Sequence, residues 1–141
     1  MKIKTDEIKK IFASQKCIQL AYLFGSHARG TTRKDSDVDI AVLTKGNLPA
    51  SKRLSLRLEL SSLLSKIYNR DVDAVLLNSA GSILKFQVSK EGKLIFERHK
   101  GDSKKFRLNS IKEYFDYLPT FNFHYNRMKM KGAKHGQHNT R

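Results

Sequence analysis

Three acids stand at alternate positions near the end of the stretch GSHARGTTRKDSDVD, residues 25–39: Asp35, Asp37 and Asp39. They follow a glycine-flanked run of cations, so one short segment offers groups for an anion and groups for a cation. Two phosphate- and metal-binding motifs nearly fit. Gly25 and Gly30 have the spacing of a P-loop, but Thr31 stands where that loop needs its Lys. The three acids fill the first odd positions of an EF-hand loop, but Ile40 replaces the sharp-turn glycine and Gly46 the closing bidentate Glu. Each motif fails on a residue its chemistry requires.

A different chemistry fits better. Side chains two residues apart on a strand share a face, so Asp37 and Asp39 project together with Cα atoms roughly 6.6 Å apart. Two such carboxylates repel unless a cation lies between them. A pair of divalent ions ~3.5–4 Å apart, as in two-metal nucleotidyl transfer, would relieve that repulsion. An isolated D-x-D can equally be a solvated strand start paired with Arg33 or Lys34, so the upstream residues matter. Gly25 closes an apolar run and Ser26 stands where a helix could begin. A strand–Gly–Ser–helix junction presents free N–H groups, a hydroxyl and a positive dipole end to phosphate. Arg29, Arg33 and Lys34 add positive charge, and His27 reads as a solvated side chain beside the phosphate. A magnesium-chelated nucleoside triphosphate needs both seats. A third carboxylate on a neighbouring strand would complete the metal site or act as base for an attacking hydroxyl. Within RDVDAVLL, Asp73 is the candidate and Asp71 its competitor on the same face. Asp73 is preferred because it lies further into the strand, where an acid without a purpose is costly to bury. Pairing with Arg70 is its bland alternative.

The elements that must carry these residues are legible in outline. Thr5 to Phe12 has Ile8, Ile11 and Phe12 at helical spacing, with Thr5 as N-cap. Cys17 to Phe24, Asp37 to Leu43 and Asp71 to Leu77 read as strands, and Lys93 to Glu97 as a last short one. Leu48 to Ile67 reads as an amphipathic helix presenting Leu54, Leu58, Leu60, Leu63, Leu64 and Ile67. Ser82 to Val88 predicts a short helix, and Ser103 to Leu118 a longer one with Phe106, Ile111, Tyr114, Phe115 and Leu118 available for docking. The order implies an α/β or α+β fold, a small sheet with helices packed against it.

Composition narrows the partners. At 141 residues the chain is expected to hold one main domain, residues 1–118, followed by a basic, flexible tail, 119–141, that carries five Lys or Arg and no acid. A net charge of +15 favours anionic partners. No run approaches the ~18 apolar residues of a membrane helix. The charged start MKIKTDEIKKIF has no apolar leader core, and the lone Cys17 forms no internal disulfide, so a cytoplasmic protein is expected.

GSHARGTTRKDSDVDIAVL resembles the G-S-x-A-R-G and S-D-x-D signature of the minimal nucleotidyltransferases, a branch of the DNA polymerase beta superfamily. Gly25 and Ser26, the intervening residues 27 to 36, and then Asp37 and Asp39 match the spacing, and Asp73 falls where the third carboxylate lies. The resemblance covers roughly residues 5 to 98. It implies a mixed sheet flanked by helices in the polymerase beta-like fold. It implies nucleotide binding by Gly25, Ser26 and Arg29, with Asp37, Asp39 and Asp73 as catalytic residues and ligands of two Mg²⁺ ions. Many members of this size are antitoxins paired with a HEPN-domain ribonuclease toxin from a neighbouring gene. The implied activity is transfer of AMP from ATP to a toxin hydroxyl, a tyrosine in the best understood cases. Two readings compete: a non-catalytic antitoxin that masks its partner, and a small-molecule, aminoglycoside-type transferase. The second usually needs acidic clusters and an added helical domain, and this chain has neither. For the basic tail two readings stand side by side: a flexible solubilising extension, or a contact with an acidic partner surface or its bound RNA.

Overall fold

A computed structural model describes residues 5–25 and 37–139. Four strands form one sheet: β1 (Ile18–Phe24), β2 (Val38–Thr44), β3 (Val72–Leu76) and β4 (Lys93–Glu97), in the order β3-β2-β1-β4. β1 runs antiparallel to both β2 and β4, and β2 runs parallel to β3. A parallel pair needs a crossover, supplied by the helix α2 (Ala50–Tyr68) between the two strands. The central strands β1 and β2 are covered on both faces, which is why they read as near-continuous apolar runs.

Period-two alternation divides the core into two layers. Val38, Ile40 and Val42 face α1 (Thr5–Ser14) and α2, packing with Phe12, Leu60 and Leu64. The opposite face carries Leu20, Tyr22 and Ala41, which pack against Val88 of α3 (Ser82–Glu91) and Phe106 of α4 (Asp102–Asn139). Asp39 belongs to this second face by parity. Arg98 fastens the first layer: its Nε donates to Ile18 O at 2.7 Å, and its terminal nitrogen reaches the carbonyls of Phe12, Ala13 and Gln15 at 3.1, 3.3 and 3.1 Å. These include the orphan acceptors at the end of α1. At the same end of the sheet, where Thr44 closes β2 opposite Ile18, Asn78 Nδ2 donates to Thr44 O and its Oδ1 accepts from Thr44 N, each at 2.8 Å.

Two elements differ from the sequence reading. In α2 the buried stripe is Leu56, Leu60, Leu64 and Tyr68, whereas Leu54 and Leu58 are exposed. Leucines occur around the whole helix, and only contact with β3 and α1 selects the inward row. The last helix does not stop at Leu118 but continues through Pro119 to Asn139. Proline removes one backbone donor. The i,i+4 ring contact Tyr117–Phe121 spans the break, with centroids 6.2 Å apart, and Phe121–Tyr125 at 6.1 Å continues it beyond.

Candidate active site

The sheet brings two of the predicted acids together. In the parallel register Asp39 pairs with Asp73 and Val38 with Val72. Directly paired residues of neighbouring strands project from the same face, about 4.8 Å apart. Asp37 precedes β2, two residues before Asp39, and is exposed. Asp71 lies outside β3, and its backbone carbonyl accepts a hydrogen bond from Val38 N at 2.9 Å. Register, not depth, separates the two candidates. Contrary to the burial argument, Asp73 is exposed, and pairing with Asp39 is what distinguishes it from Asp71.

Gly25 ends β1 on the other side of Asp39. Phe24 pairs with Asp39 in the antiparallel register, and Gly25 turns the chain with φ +73°. A Cβ on Gly25 would lie 2.5 Å from Asp39 Oδ2, so any other residue there strains the left-handed backbone and makes the Asp39 carboxylate shift. Ser26, Arg29 and the flanking His27, Arg33, Lys34 and Asp35 lie outside the described residues.

Arg57 is a site residue that sequence reasoning missed. From α2 its Nε donates to Ala74 O at 2.8 Å, and its guanidinium stands 3.9 Å from Asp73 Oδ1. Nothing in the local sequence of α2 marks it, because its partner is a β3 residue brought close only by the crossover. The donors at this end of the sheet are carboxylate oxygens, the ligand type a hard divalent ion such as Mg²⁺ takes. Among the described residues no three acidic, His or Cys side chains are already gathered around one point.

A mixed sheet that aligns carboxylates from two adjacent strands beside a glycine turn is the framework of a nucleotidyltransferase. The chain belongs to the family described as Polymerase beta, Nucleotidyltransferase, whose model matches residues 6–101. It is 38% identical over 102 residues to protein adenylyltransferase MntA of Shewanella oneidensis, an alignment that spans 72% of this chain and 66% of that relative. Among solved structures, a toxin–antitoxin with AMP-PNP superposes with a TM-score of 0.77 at 30% identity, covering 90% of this chain and 99% of that one. The tri-AMPylated Shewanella oneidensis HEPN toxin in complex with MNT antitoxin gives a TM-score of 0.70 at 28% identity, covering 89% and 95%. The polymerase beta-like fold expected from the sequence is thereby established. No helix of the described residues is long and apolar enough to cross a membrane.

Proposed function

We propose that this chain is an antitoxin-type protein adenylyltransferase that moves AMP from ATP to a hydroxyl, a tyrosine by preference, of a HEPN-domain toxin encoded beside it. The observation that carries the reading is the pairing of Asp39 with Asp73 next to Gly25. Its support from relatives is the adenylyltransferase name of one and the AMPylated toxin complex of another.

In this reading Asp37, Asp39 and Asp73 are the catalytic carboxylates and hold two Mg²⁺ ions, while Gly25, Ser26 and Arg29 hold the triphosphate. The metals would offset charge on the attacking and leaving oxygens. The chain's own residues orient them: Gly25 allows the β1 turn to approach Asp39, and Arg57 limits the directions Asp73 can take. Residues 1–118 would form the transferase unit, and 119–141 a basic extension towards the partner's acidic surface. The setting would be cytoplasmic.

Incubation of the full chain with its HEPN partner, Mg²⁺ and ATP should add ~329 Da increments, the mass of an AMP group, to the partner. Intact-mass spectrometry reads this directly. A partner that gains no mass yet is still inhibited, also by Asp37→Ala/Asp39→Ala protein, would overturn transfer in favour of masking.

A further inference from the structure

The strand order β3-β2-β1 gives the site two sides. Gly25 touches Asp39 from the β1 side, whereas Asp73 and Arg57 close the β3 side. In an in-line displacement the attacking hydroxyl enters opposite the leaving pyrophosphate. With the triphosphate seated after Gly25, the acceptor must come from the β3 side. From beside Arg57 a cavity of 370 Å³ runs along the edge of β3 towards that strand's C-terminal end, between the first turns of α2 and the start of α3. Among the described residues its charged lining is cationic, with Arg53 and Arg57 one turn apart on α2 and Ser79 nearby, and no acid lines it. Its walls are apolar, from Leu54, Val75 and Leu84, and Leu54 is 57% exposed. Arg57 belongs to both places, since its guanidinium borders the cavity and stands 3.9 Å from Asp73.

We propose that this cavity is the acceptor subsite, and that it selects a polypeptide segment carrying carboxylates and an apolar side chain beside the modified hydroxyl. This deepens the function proposed above and rests on it. Guanidinium groups match carboxylates in a planar, bidentate manner. Arg53, with no acid among the described lining residues, and Arg57, partly offset by Asp73 at 3.9 Å, disfavour a cationic small molecule such as an aminoglycoside. Among the described residues the walls are aliphatic with no aromatic platform, which suits a peptide side chain and gives nucleic-acid bases nothing to stack on.

The test uses the full chain with Mg²⁺, ATP and two synthetic peptides, each with one tyrosine, flanked by Glu and Leu in one and by Lys and Leu in the other. AMP transfer to the acidic peptide should exceed that to the basic one by about 10-fold in kcat/KM, since like charges across such a contact are unfavourable. Arg53→Glu should abolish or reverse the preference while Mg·ATP affinity stays unchanged. Equal use of both peptides, preference for the basic one, transfer to an oligonucleotide 3′ end instead, or modification of neither peptide by protein that binds Mg·ATP would each overturn the proposal. Failure of the wild-type chain to bind Mg·ATP would overturn the transferase reading itself, and this subsite with it.

Discussion

Asp39 and Asp73 stand opposite each other in the parallel pairing of β2 and β3, at the end of the sheet where β1 closes with Gly25. Neighbours in register share a metal or repel one another, and this relationship gives the two acids of the RDVD stretch different expected roles. Asp73→Asn should reduce AMP transfer by ~10² or more while leaving much of the Mg·ATP affinity, the scale of a lost catalytic proton acceptor. Asp71→Asn, outside β3, should change transfer little. Single-turnover rates of the two variants decide the matter, and the reverse ranking would move the third carboxylate to Asp71.

Gly25 offers a test of how tightly that end is built. Gly25→Ala places a methyl against Asp39 Oδ2 and asks alanine to hold φ +73°. The backbone alone should cost about 1–2 kcal/mol. Urea denaturation should register this loss, and transfer should fall further because Asp39 must shift. Wild-type stability and activity in this variant would mean that the turn relaxes freely.

Tyr22 supplies a pH signature. Burial, assisted by the nearby Glu97 charge, pushes its hydroxyl from 10.0 up to about 12. A group raised in the folded state stabilises fully below its unfolded value and loses that contribution as pH rises through the folded one. The wild-type protein should therefore lose about 2 kcal/mol relative to Tyr22→Phe between roughly pH 10 and 12. Below pH 10 the difference between the two should be constant. Parallel stability curves across the alkaline range would contradict this.

Arg98 is predicted to be structural. It donates to carbonyls of α1, its following turn and β1, and its guanidinium lies 5.2 Å from the Phe96 ring centroid. Arg98→Met keeps the stem but strands those acceptors, so a loss of about 2–3 kcal/mol is expected on chemical denaturation. Mg·ATP binding at native temperature should be retained, because the contacts lie at the opposite end of β1 from Gly25.

The second half of α4 can be removed as a further check. The buried contacts of this helix, Phe106 and Ser110, precede Leu118, whereas Phe121, Phe123, Tyr125, Met128 and Met130 are exposed. Truncation after Leu118 should leave the melting temperature and Mg·ATP binding near wild type. Association with the HEPN partner should weaken, more at low salt than at high salt, because its charged component is screened as salt rises. Unchanged association would make residues 119–141 a solubilising extension only.

Much of this was readable from the chain because it depends on neighbours in sequence. The D-x-D spacing marks the start of β2, with Asp39 inside the strand and Asp37 just before it. A glycine after an apolar run marks a turn whatever it packs against. The four strands follow from short aliphatic runs, and their observed bounds lie within a residue or so of those read from pattern. Three features needed the folded chain. Which acid pairs with Asp39 depends on the register of β2 with β3, set by a crossover helix far from either residue. Arg57 approaches Asp73 only because α2 packs over the β3 edge, a contact between residues 16 positions apart with no local signature. The inward face of α2 and the passage of α4 through Pro119 were likewise ambiguous, since leucines surround the first helix and proline argues against the second. Local periodicity determines which elements form and which side chains share a face. Pairing between elements decides which of those side chains meet, because that energy comes from contacts the sequence separates and only packing brings together.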